Sequence, residues 1–193
     1  MLRELMMISL GTAIINNFVL VQLLGVEPLF NSSKNLKSAT DMGVAVMFVM
    51  IFASLAAWAV NTYVLVAFHA EFLRTFVLII VVVATVQIIE KFSKRFIKSL
   101  YLFLSGYLRL ITVNSVILGI ILINVNQFGA VDGVFAHTMV NTVAAGVGFF
   151  IAIVLLAGVR ERLELKNIPK PFRGIPIALI SAGLIAMAFM GVS

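Results

Sequence analysis

The second half of this chain repeats the first, and each half carries three long apolar runs. Ile14-Ile15-Asn16-Asn17-Phe18-Val19-Leu20 reads like Ile111-Thr112-Val113-Asn114-Ser115-Val116-Ile117. Gly43-Val44 opens an apolar run, as Gly146-Val147 does, and Leu73-Arg74-Thr75-Phe76 precedes one, as Phe172-Arg173-Gly174-Ile175 does. The three pairs are offset by 97, 103 and 99 residues and keep the same order. If each run crosses a membrane, an odd number per half makes the second copy enter from the opposite face. That is the pattern of inverted repeats, which often frame a site near the bilayer midplane.

Composition supports the membrane reading. The chain is 62% hydrophobic and 11% charged, whereas a soluble domain carries roughly 25% charged residues. So much apolar surface cannot be hidden in a core of this size, so lipid is the expected solvent for much of it. Six stretches approach the ~20 residues needed to cross the hydrocarbon: 5–25, 42–62, 73–90, 100–124, 138–158 and 174–192. The first continues past Val19 without a small-residue cleavage site and is expected to be a retained span. In lipid each span must be helical, because an unpaired backbone amide is too costly there. The expected fold is therefore all-α: one integral membrane domain over 1–193, with repeat one at 1–98 and repeat two at 99–193.

The cations set an orientation. Lys34 and Lys37 fall between spans one and two; Lys91, Lys94, Arg95 and Lys98 between three and four; Arg160, Arg162, Lys166, Lys170 and Arg173 between five and six. These 11 of the 14 cations lie on one face, against Arg3 and Arg74 on the other. The positive-inside rule then places the basic loops in the cytoplasm and both termini outside. The net charge of +6 is thus read as topology and attraction to anionic lipid, with no nucleic-acid partner.

Two spans carry signs of interruption. Span one ends in Gly25-Val26-Glu27-Pro28, a sequence that stops a helix, and holds Asn17 upstream. Span four holds Thr112, Asn114 and Ser115 at the corresponding place. Intramembrane amides commonly bond neighbouring helices. The same Asn in both halves points further, to a site on the repeat axis where broken helices one and four meet. Arg109 lies within span four at a cost of ~2.5–3.5 kcal/mol if it sits at the helix centre. Two readings stand for it: an ion pair with Glu27, or a side chain snorkelling to the interface. His69 and His137 lack further ligands at metal spacing, and no nucleotide or acyl-transfer motif is present. Catalysis by this chain alone is not expected.

The segment Asn16-Asn17-Phe18-Val19-Leu20-Val21 with Leu24-Gly25 resembles the first span of the RnfA/NqrE family. Val159-Arg160-Glu161-Arg162-Leu163 and Pro169-Lys170-Pro171-Phe172-Arg173-Gly174 are similar to the family as well, as is the tail from Ile177 to Gly191. The resemblance covers nearly the whole chain and is stronger to the A-type member. It implies a six-span bacterial or archaeal inner-membrane component of an Rnf ion-translocating electron-transport complex. It also implies a homologous E-type sister subunit, with which an intramembrane [2Fe–2S] cluster is shared, two cysteines coming from each partner. Those cysteines correspond to Glu27 and Ser115, with Asn17 and Asn114 nearby, and the chain contains no cysteine at all. Thiolate suits iron–sulfur clusters, and carboxylate and hydroxyl hold them weakly. The alternative functions are a redox-inactive ion carrier or channel on the same repeat, and a structural scaffold.

Overall fold

The computed structural model describes residues 11, 12, 17, 19–22, 24–112, 114–128, 134–164 and 169–191. Most of the first predicted span lies outside them, as do Arg3, Asn16, Val113 and Lys166. The described residues form helices α1 (Val26–Ser32), α2 (Leu36–Val60), α3 (Arg74–Phe96), α4 (Lys98–Ser105), α5 (Leu108–Thr112), α6 (Ser115–Phe128), α7 (Val134–Glu164) and α8 (Ile175–Met190). A π-helical turn, Asn61–Leu65, extends α2.

Four helical stretches among the described residues are long and apolar enough to cross a membrane: Leu36–Leu65, Glu71–Phe96, Leu108–Phe128 and Phe135–Leu163. The apolar helix Ile175–Met190 is shorter. Several helices outrun the predicted spans. The third was expected over 73–90 and runs on to Phe96 through Lys91, Lys94 and Arg95; the fifth was expected over 138–158 and reaches Glu164. Hydropathy marks the part of a helix that tolerates hydrocarbon, and backbone hydrogen bonding carries it further into water.

Predicted span four (100–124) is broken. Helix α5 ends at Thr112 and α6 begins at Ser115, with a further interruption near Gly106 between α4 and α5. On the N-terminal side, the described residues from 19 to 25 form turns and a bend, and the chain returns to helix only at Val26.

Helices α2 and α7 make the centre of the bundle. The buried face of α2 includes Ala39, Met42, Val46, Val49, Ala53 and Ala57, spaced three and four apart along one helical stripe. The facing stripe of α7 includes Ala145, Phe149, Ala152, Ile153 and Leu156. Glycine permits the close crossing. A Cβ on Gly43 would lie 2.6 Å from Phe150 Cδ2 and 3.4 Å from Phe150 Cα; a Cβ on Gly146 would lie 2.8 Å from Met47 Cγ. Further along, Trp58 packs edge-on against Phe135 at 4.9 Å. As the residue number rises on α2 (43, 47, 58) it falls on α7 (150, 146, 135), so the two helices run in opposite senses. The two glycine contacts are also reciprocal. Residues 43 and 146, and residues 47 and 150, are each 103 apart, the offset read from the sequence.

The outer helices bury much less. Along α3 the buried apolar residues are Leu78, Val82 and Val86, one narrow stripe, while Phe76, Ile80 and Ile88 are exposed. On α8, Ala178, Ser181 and Ala182 face inward, and Leu179, Leu184 and Met187 face outward. Such apolar exposure suits lipid. The Ala178–Gly183 stretch packs through its alanines, since a Cβ on Gly183 would meet nothing.

Gly43→Ala and Gly146→Ala are each expected to cost about 1–3 kcal/mol through overpacking at the α2–α7 crossing, read as a lowered thermal midpoint in detergent. Gly183→Ala is the control: its Cβ meets nothing, so it should melt no lower than the parent chain.

Candidate functional site

The site is built where the two chain breaks meet, and asparagine organises both. Asn17 is buried, and its Oδ1 accepts from the backbone N–H groups of Val19 (3.1 Å) and Leu20 (3.4 Å). In the second half Asn114, also buried, accepts from Val116 N–H at 3.0 Å and caps the start of α6. Short amide side chains favour this local bonding because it satisfies donors that a broken helix leaves open. Asn17 Nδ2 donates to Gly148 O on α7 at 2.8 Å, which ties the first break to the central helix. Asn114 Nδ2 is buried with no hydrogen-bond partner among the described residues.

Gly25 brings the breaks together. Its N–H donates to Ser115 Oγ at 2.8 Å. It adopts φ +71°, a left-handed conformation that favours glycine. Any Cβ there would come within 2.5 Å of Val116 Cγ2 and 3.1 Å of Asn114 Oδ1. The backbone at residue 25 thus lies directly against the α6 start.

Helix α1 leaves this junction. Glu27 lies in its first turn, where a carboxylate is favoured by the helix dipole. Pro28 is tolerated there because first-turn N–H groups have no intrahelical partner. The far end of α1 is held by a residue that the sequence alone places among the loop cations. Arg160 belongs to α7 and is buried; its Nη1 donates to Phe30 O and to Ser33 Oγ, both at 2.7 Å. A cation bonded to a last-turn carbonyl complements the negative end of a helix. The signal was present in the sequence only as one Arg among several, and its burial comes from the α7 packing.

The structure therefore brings Asn17, Asn114, Ser115, Gly25 and the first turn of α1 into one region around α7. It does not join Glu27 to Arg109. Both side chains are exposed, and among the described residues they form no ion pair with each other. Arg109 lies on α5, a five-residue helix ahead of the break, with its side chain outward. Of the two readings of Arg109, the Glu27 pair is the one that fails. Glu27 and Ser115 are themselves exposed on the outside of the bundle, next to the Gly25–Ser115 bond.

A family model described as "Rnf-Nqr subunit, membrane protein" matches residues 5–193. The chain belongs to the Rnf-Nqr membrane subunit family. Its relatives include the A-type subunits of bacterial ion-translocating oxidoreductase complexes. It is 43% identical over 192 residues to that of Edwardsiella ictaluri (strain 93-146), covering 100% of this chain and 97% of that protein. It is 43% identical to the protein of the same name from Serratia proteamaculans (strain 568), covering 98% and 96%, and 41% identical to that of Proteus mirabilis (strain HI4320), covering 100% and 97%.

Within this Rnf-Nqr chain, positions 27 and 115 do not fit the iron–sulfur cluster that the resemblance implied. They offer a carboxylate and a hydroxyl, there is no cysteine, and Ser115 Oγ is already engaged by the Gly25 amide. Among the described residues no group of three or more His, Cys, Asp or Glu side chains could hold a metal ion.

Arg160→Ala should cost about 1.5–3 kcal/mol, the value of hydrogen bonds to a charged group; a thermal melt of the isolated chain checks it. Glu27→Gln in the same assay should cost no more than about 1 kcal/mol, the value of an exposed carboxylate at a helix N-terminus.

Proposed function

We propose that this chain is the A-type membrane component of an ion-translocating electron-transport complex, paired with a homologous E-type sister subunit and joined by the further subunits of that complex. The observation that carries this reading is the junction itself. The broken first and fourth segments are clasped by the Gly25 N–H to Ser115 Oγ bond at 2.8 Å, with Glu27 and Ser115 exposed beside it. Two buried chain breaks fastened together, with the polar side chains of Glu27 and Ser115 exposed beside them, suit a surface that meets another protein. The names of the relatives, as subunits of an ion-translocating oxidoreductase complex, agree with that.

The finer architecture belongs to the same proposal. Two inverted three-helix repeats are supported by the opposed senses of α2 and α7, by the reciprocal Gly43–Phe150 and Gly146–Met47 contacts, and by the matching cap roles of Asn17 and Asn114. Six spans are supported by the apolar runs, external termini by the distribution of Lys and Arg, and an inner-membrane location by the resemblance to the Rnf-Nqr family.

In this reading the chain holds the paired membrane core together and does not itself ligate an iron–sulfur cluster. Glu27 places a carboxylate where a soft ligand would be needed, and Ser115 serves the fold. Co-expression with the sister subunit tests this. The native pair should purify as a complex with no iron from this chain's side. Glu27→Cys combined with Ser115→Cys should add iron and visible iron–sulfur absorbance to the pair. Iron in the native pair that disappears on Glu27→Ala, or failure of the two subunits to associate, would overturn the proposal.

A further inference from the structure

Away from the junction, the end of α2 carries a group of polar atoms that the proposed function does not use. A small cavity of about 10 Å³ lies among α2, α6 and α7, lined by Ser54, Trp58, Asn61, Asn124 and Thr138 together with apolar neighbours. Three atoms on residues of its wall have no hydrogen-bond partner among the described residues: Ser54 Oγ, Trp58 Nε1 and Asn61 Oδ1. Ser54 is 1% exposed and Asn61 7%. Three unmet polar atoms around one cavity are unusual, because buried polar groups in native proteins nearly always find a partner.

The other side of the cavity is fully bonded. Asn124 Nδ2 donates to Thr142 Oγ1 at 3.0 Å, Asn124 Oδ1 accepts from Asn141 Nδ2 at 2.6 Å, and Thr142 Oγ1 donates to Thr138 O at 2.7 Å. Asn141 Oδ1 in turn accepts from Thr12 Oγ1. Every group in this network is neutral.

We propose that the cavity is a binding site for one ordered water molecule, held by Trp58 Nε1–H, Asn61 Oδ1 and Ser54 Oγ. Its volume is about that of one water. Water fits because it accepts from the indole N–H and donates to the amide oxygen, with the hydroxyl taking either role. A bare monovalent cation fits poorly. Its lining includes an unpartnered indole N–H donor, no carboxylate lines it, and Asn124 Oδ1 already accepts from Asn141 Nδ2. The position also gives the water a role. Asn61 begins the π turn, with Val66 N–H donating to Asn61 O at 3.0 Å. Such turns leave the regular i→i+4 ladder and are frequent at functional sites. Bridging Ser54, Trp58 and Asn61, the water ties the π turn back to the body of α2, beside the neutral network of α6 and α7.

Trp58 is the single tryptophan of the chain, so its indole signal reports on this cavity alone. The test uses the full chain, labelled with ¹⁵N-tryptophan and held in lipid nanodiscs. The indole N–H should show a magnetisation-transfer cross-peak to a bound water. That peak should be unchanged when sodium chloride is replaced by choline chloride at constant ionic strength. Asn61→Leu should abolish it and shift the Trp58 emission to the blue; Ser54→Ala, which removes one wall oxygen and is expected to fold normally, should weaken it. The absence of a water cross-peak in the native chain would overturn the proposal, as would a peak indifferent to both substitutions. An indole shift that saturates with sodium and not with choline would also overturn it, by making the site a cation site.

Discussion

In lipid the hydrophobic effect does not press helices together, since acyl chains are as apolar as leucine, so a bundle must hold by close packing and by polar contacts between helices. The crossing of α2 and α7 meets the first demand. Gly43 admits Phe150 and Gly146 admits Met47, so each helix lends the other both a small residue and a bulky one. A run of fully buried alanines, Ala39, Ala45, Ala53 and Ala57 on α2 and Ala152 and Ala157 on α7, keeps the two backbones near each other. The remaining elements attach to this pair. Helix α3 needs only a narrow stripe of contact, and α8 only its small residues.

Polar contacts meet the second demand, and they are concentrated where the backbone leaves the helical ladder. Interrupted helices are tolerated at membrane depth only when protein satisfies the released groups. Here Asn17 and Asn114 accept from the amides that follow them, Ser115 accepts from Gly25, and Arg160 takes the carbonyl of Phe30. Short helix α1 is anchored at both ends, by α6 through Gly25 and by α7 through Arg160. An isolated helix of that length would not persist in water. It persists here because both termini are bonded to larger elements.

The same arrangement shows how positions 27 and 115 are used in this cysteine-free chain. Glu27 sits on the outside of α1 and contributes little to the core, so a carboxylate is accommodated there. Ser115 has been given a structural task, since its hydroxyl completes the Gly25 amide. The hydrogen bond from the Gly25 amide to the Ser115 hydroxyl joins the two breaks directly.

Much of this was legible in the sequence because it rests on local chemistry. Hydropathy marked the long helices and the Asn repeat marked the breaks, whereas Gly-Val-Glu-Pro, expected to stop a helix, opens one at Val26 because a first turn has no use for the N–H that proline lacks. Charge was misread wherever its meaning depended on distance. Arg109 and Glu27 look complementary on paper, yet both point outward and do not meet; Arg160 looks like one more loop cation, yet it is buried under α1. The surroundings of Ser54, Trp58 and Asn61 could not be foreseen either, because their cavity exists only where three helices pass one another. Sequence by itself determined which segments must be helical in lipid, since that rule concerns a residue and its near neighbours. Only the tertiary structure decided which polar groups face each other, because that depends on how closely α2 and α7 cross and on the angle at which each broken end is presented.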